Sequence, residues 1–130
     1  MNLSGFWSGQ FYYPQEAAPP VKFDCEIIQT GSHISGNTTE IAELKSVPHF
    51  LIAAKIEGSF VNKKISFLKT YLTNDENYTT VEYDGTVNLL GNKIKGIWMR
   101  YDWSGTFIMI KDKNNQKAKT TISVANDTNI

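Results

Sequence analysis

Along most of the chain, apolar and polar residues alternate one by one. In "VKFDCEI", Val21, Phe23, Cys25 and Ile27 share one parity, and Lys22, Asp24 and Glu26 share the other. "TVEYDGTV" repeats the pattern, with Val81, Tyr83, Gly85 and Val87 set against Glu82, Asp84 and Thr86. Successive side chains of a strand point to opposite faces, so this period of two predicts strands with one face in a core. Read onward, it predicts eight strands at about 5–13, 21–29, 33–39, 51–60, 64–71, 78–88, 93–100 and 103–111. "EIAELKS" at 40–46 is the one stretch with room for a helical turn or two. "TTISVA" at 120–125 has the pattern of a short extra strand inside an otherwise polar tail.

Eight consecutive strands with short links form a meander, and a meander of eight commonly closes into an up-and-down antiparallel β-barrel. The links alternate in length: "PQEAAPP" then "TGS", "EIAELKSVPHF" then "VNK", "TNDEN" then "LLGN". Odd-numbered links share one end of a meander, so one rim is expected to carry the longer loops and the other to be tied off by tight turns. Gly9, Gly36, Gly58, Gly85, Gly96 and Gly105 fall inside strands on the apolar parity. Glycine inside a strand costs about 0.5–1 kcal/mol against alanine. Inward glycines let small barrels coil sharply, and they also leave interior volume.

"GFW" at 5–7 resembles the G-x-W at the start of the first strand in calycin-type barrels: lipocalins, intracellular fatty-acid-binding proteins and avidin-like proteins. The resemblance covers about residues 5–111. It implies an eight-stranded cup that binds a small ligand, with Trp7 plugging the closed end. The lipocalin T-D-Y signature is absent, Arg100 is followed by Tyr101-Asp102 rather than completing an R-x-Y, and no avidin-type biotin set can be matched. The ligand's identity is therefore not implied.

W-S-G-x-F occurs twice, at Trp7–Phe11 and Trp103–Phe107. Closing the barrel makes the first and last strands neighbours. A register with Gly9 opposite Phe107 and Phe11 opposite Gly105 would let each glycine be covered by the other copy's phenylalanine. In that register Trp7 faces Met109 and Tyr13 faces Trp103.

Composition narrows the reading further. The 130 residues suit one domain, a barrel at about 5–111 with a polar tail at about 112–130, and thirteen basic residues balance thirteen acidic ones. A net charge of zero offers no global field for nucleic acid or an anionic membrane, and Lys111, Lys113, Lys117 and Lys119 read as a solvating end. No signal peptide is visible in "MNLSGFW", and no apolar run approaches the ~20 residues of a membrane span. The single Cys25 agrees with a reducing compartment, so a cytoplasmic protein is expected.

The chemistry of the cup rests on inward polar residues. Lys69 and Tyr71 share the face of Ile65 and Phe67, and Arg100 ends the face of Ile94 and Trp98. Both strands run toward the wide mouth, where Tyr13 ends the first strand and Trp103 begins the last. Tyr83 points inward mid-strand. Two cations, phenols and an indole round an apolar cup suit a small amphipathic or aromatic anion, held by Arg100 and Lys69 with its body stacked below. The alternative is that both cations snorkel into water with their stems covering apolar surface.

No metal or cofactor is expected, since His33 and His49 fall at opposite rims and zinc wants three or four convergent ligands. Cys25 reads as a small buried hydrophobe. No nucleophile-base spacing or phosphate-cradling glycine loop is present, so a binder rather than an enzyme is expected. A second class is a filled barrel acting as an interaction or oligomerising module, through outward Leu68, Leu72, Ile97, Met99, Ile108 and Ile110.

Overall fold

Each alternating stretch is a strand in the computed structural model, which describes residues 1–42, 50–73 and 78–113. The strands are β1 (Gly5–Tyr12), β2 (Val21–Thr30), β3 (His33–Ala42), β4 (Phe50–Val61), β5 (Lys64–Tyr71), β6 (Val81–Val87), β7 (Lys93–Arg100) and β8 (Trp103–Lys111). Each pairs antiparallel with the next, and β8 pairs with β1, so the sheet is a closed up-and-down barrel. Closure leaves no unpaired edge. A 3-10 turn at Pro14–Glu16 follows β1.

The tight links gather at one end. Asn62 and Lys63 both take positive φ (53° and 66°), the backbone of a type I′ hairpin turn, whose twist matches that of β4 and β5. Gly31, at φ 62°, turns β2 into β3. At the other rim, the link from β7 to β8 is the two-residue turn Tyr101–Asp102, with Tyr101 at φ 54°. The mouth is therefore uneven, low between β7 and β8.

Two expectations change in detail. Residues 40–42 continue β3 rather than starting a helical turn, and the rest of the 40–46 stretch lies outside the described residues. The candidate strand at 120–125 and His49 also lie outside them.

The register that closes the barrel differs from the expected one by two residues. Gly9 faces Met109, Phe11 faces Phe107 and Trp7 faces Lys111. A slip of two keeps every side chain on its own face, so alternation alone cannot choose between the two registers. The glycines are still covered by aromatics, but from their other neighbours. Gly9 pairs with Phe23 on β2, whose ring comes within 2.2 Å of where a Cβ would stand. Gly105 pairs with Trp98 on β7, whose indole Nε1 is 2.6 Å from the corresponding point. The two hairpins bind each glycine to an aromatic, and the seam then joins phenylalanine to phenylalanine.

The interior is packed from the closed end upward. Trp7 is fully buried and donates its indole N–H to the Leu3 carbonyl at 2.9 Å, sealing the base. Above it, Phe67 stacks on Tyr83 with centroids 4.9 Å apart, and Phe107 meets Tyr83 edge-on at the same distance. Cys25 is buried, as its parity requires.

The outward apolar residues do not form three adjacent stripes. β6 stands between β5 and β7, and its Glu82 lies directly between Leu68 and Met99. Ile97 faces Asp84 and Thr106, Ile110 faces Lys93 and Ser8, and Ile108 is half-buried. Glu82 thus separates Leu68 on β5 from the outward apolar residues of β7 and β8.

Candidate functional site

Below the mouth lies a polar cluster built by three strands. Along β3, the inward parity of Ile34, Gly36 and Thr38 continues to Glu40. On β5, Ile65 and Phe67 are followed on the same face by Lys69 and Tyr71; on β6 the inward Tyr83 faces Phe67 across the strand pair. The Lys69 ammonium donates to Glu40 Oε1 at 2.7 Å, with side-chain exposures of 1% and 6%. The Tyr71 hydroxyl bridges both Glu40 oxygens at 3.1 Å, and the Tyr83 oxygen lies 3.5 Å from Lys69 Nζ.

Lys69 Nζ is also walled by rings. The centroids of Phe11, Phe23, Tyr71 and Tyr83 lie 5.1, 5.0, 5.0 and 5.5 Å away. Ring faces carry negative quadrupole density, so they supplement the carboxylate in stabilising an ammonium removed from water. This corrects the snorkelling alternative for Lys69, which is 1% exposed and has an internal counter-ion. Glu40 is the residue that sequence reasoning missed. The signal was present in the parity of β3, but "EIAELKS" reads equally as the start of a helical turn.

The rim above is aromatic. Tyr13 meets Phe11 at 5.7 Å, Trp98 at 5.9 Å and Trp103 at 5.9 Å, each edge to face. Trp98 donates its indole N–H to the Tyr12 carbonyl at 2.9 Å, which fixes the cluster to β1. Trp103 is 46% exposed. Arg100, half-buried, pairs with Trp103 across the β7–β8 turn, close enough for its charge to act on the Tyr13 phenol. Of the six expected site residues, Lys69, Tyr71 and Tyr83 come together below, while Tyr13, Trp103 and Arg100 gather at the rim.

Burial sets the proton affinities. It opposes the charge of Lys69, but Tyr83, Glu40 and Tyr71, with the hydrogen bond to Glu40, outweigh it and hold the ammonium above its ordinary range. Burial also raises the phenols of Tyr13, Tyr71 and Tyr83, and pushes the Cys25 thiol up to about 12. All these shifts have one sign: the folded state holds its protons more tightly than the unfolded chain. Their stabilisation is complete below the ordinary thiol and phenol values of 9.0 and 10.0, and is lost as pH climbs through and beyond them. Thermal unfolding at about pH 10.5 is therefore expected to have a clearly lower midpoint than at about pH 8. Equal midpoints would contradict the buried, protonated cluster.

His33 is exposed, 3.8 Å from Glu57. Among the described residues, no three of the His, Cys, Asp and Glu side chains converge as a metal site would need. No described helix is long and apolar enough to cross a membrane.

This architecture has a solved counterpart. A redesigned β-barrel matches the chain with a TM-score of 0.65 at 11% identity, over 85% of this chain and 91% of that one. At such identity the likeness shows the fold alone. No protein-family model and no curated protein matches the chain.

Proposed function

We propose that the protein is a calycin-like binding barrel that takes a small aromatic or amphipathic ligand at its mouth. The aromatic body lies against Tyr13 and Trp103, and an anionic group turns toward Arg100. The observation that carries this reading is the edge-to-face cluster of Phe11, Tyr13, Trp98 and Trp103, which ends in a half-exposed indole at the low side of the mouth. Such a shelf offers stacking area with little side-chain entropy left to lose. Trp7 sealing the opposite end supports the calycin-like kinship. The charge-balanced Lys69–Glu40 pair is the floor of the mouth, and Arg100 adds a positive charge at the rim. Nothing in the cluster supplies an activated nucleophile, since Lys69 is held as an ammonium. The buried single thiol suits a reducing compartment, and we place the protein in the cytoplasm.

The probe for this reading is 8-anilinonaphthalene-1-sulfonate, an aromatic anion. Titration should show saturable one-to-one binding to the folded protein. Trp103→Ala is expected to weaken it about five- to tenfold, and Arg100→Gln about tenfold. Absence of saturable binding, or variants that bind as tightly as the parent, would remove the mouth as a ligand site.

A further inference from the structure

The closed rim, remote from the mouth, combines two features that the site above does not use. The first is the β6–β7 turn at 88–92. The Asn88 side chain accepts from the backbone N–H groups of Asn92 and Lys93 at 2.9 and 3.0 Å, and donates to Asn92 Oδ1 at 2.7 Å. The Asn88 carbonyl accepts from Gly91 at 3.1 Å, so the turn is braced from inside. At its tip Leu89 and Leu90 are 79% and 82% exposed, and Met1, packed beside Gly91, and Val61 at the end of β4 are also more than half exposed. Two neighbouring leucines held out on a braced turn bury little for the fold.

The second feature is charge. Lys63, Lys64, Lys93, Lys111 and Lys113 occupy the turns and strand ends of this rim, with Asp112 between the last two and Glu57 reaching His33 at 3.8 Å on its far side. Three of them are tied directly to the leucine turn or its flanks. Val87 N–H donates to the Lys63 carbonyl at 2.8 Å, Asn88 N–H to the Lys93 carbonyl at 2.9 Å, and Lys111 N–H to the Asn92 carbonyl at 3.0 Å. The apolar tip therefore stands among lysines whose backbone is tied to the same turn, although the whole chain is neutral.

We infer that this rim docks on an anionic lipid bilayer. Leu89 and Leu90 enter the boundary between headgroups and acyl chains, and the lysines face the acidic headgroups. The layering of apolar tip and surrounding cations matches that boundary. A nucleic acid or an acidic protein would use the lysines but give the leucines no solvent to leave water for. Lysine stems can follow the leucines inward while their ammonium groups stay with the headgroups. Docked in this way, the barrel holds its mouth toward water, so the inference is independent of the mouth ligand.

Co-sedimentation with vesicles tests it. The full chain should sediment with phosphatidylcholine vesicles containing phosphatidylserine, not with phosphatidylcholine alone, and added salt should release it. The double variant Leu89→Ser/Leu90→Ser should weaken sedimentation about tenfold or more, with an unchanged melting midpoint because both side chains are exposed. Lys63→Glu/Lys93→Glu should weaken it by about fivefold or more per lysine. Failure to sediment with the acidic vesicles would overturn the inference, as would equal binding to both compositions. So would a serine variant that binds like the parent, which would leave a surface for polyanions in general and should then bind an oligonucleotide as tightly as the vesicles.

Discussion

Lys69→Met should cost about 3–5 kcal/mol, which for a chain of this size lowers the melting midpoint by about 10–20 °C. Methionine keeps most of the volume and loses the charge. Glu40 would then be a carboxylate at 6% exposure whose partner at 2.7 Å is gone and whose remaining donor is the Tyr71 hydroxyl. An uncompensated buried charge is what makes a broken buried ion pair expensive, much more than the pair's own net worth. Glu40→Gln should be similarly harmful, since it strands the ammonium among four rings without a counter-charge. The double variant Lys69→Met/Glu40→Met removes both charges together and should recover most of the loss, leaving the half-buried Tyr71 hydroxyl to find water. Urea unfolding of the two single variants and the double variant measures this as a coupling energy. Single variants as stable as the parent, or a double variant as unstable as the sum of the singles, would show that the pair is not held dry in the barrel.

Trp7→Ala should be the next most damaging change, by about 3–5 kcal/mol. The ring is fully buried at the closed end, where it faces Cys25 across β1–β2 and lies 5.9 Å from Lys111 Nζ, and its N–H occupies the Leu3 carbonyl. Alanine would open a cavity at the base of the barrel and free the 1–4 segment that crosses it. Trp7→Phe should lose less, because a ring remains, but it leaves the Leu3 carbonyl without its donor, a loss of about 1 kcal/mol or more. Trp103→Ala is the contrast. The second copy of the motif places its indole half-exposed at the mouth, so stability should barely change while probe binding falls. A Trp103 variant as unstable as the Trp7 variant would mean that the repeated motif has one structural role rather than two.

The barrel was legible because its signal is local. Alternation at period two marks each strand, and short links of alternating length force an antiparallel meander. All eight strands lie within a few residues of where the pattern puts them. Burial parity likewise fixes that Lys69, Tyr71 and Tyr83 point inward and that Trp7 and Cys25 are buried. Much of the candidate site can therefore be read from side-chain parity.

What escaped has one physical cause: parity is blind to translation along the strand and to which distant strands become neighbours. The seam register was missed by two residues because both registers keep Phe11 and Phe107 inside. Glu40 could be assigned to the interior only once β3 was seen to continue to Ala42, and its partner lies 29 positions away on β5. Leu68 and Met99 look like one patch until the register sets Glu82 between them. The closed-rim lysines come from three separated stretches, and a zero net charge conceals them. The sequence by itself determined a strand pattern, an inside and an outside, and a mouth opposite a tied-off end. Only the closed barrel decided which inward charge meets which and in what register the first and last strands join, because those depend on long-range pairing that no local period encodes.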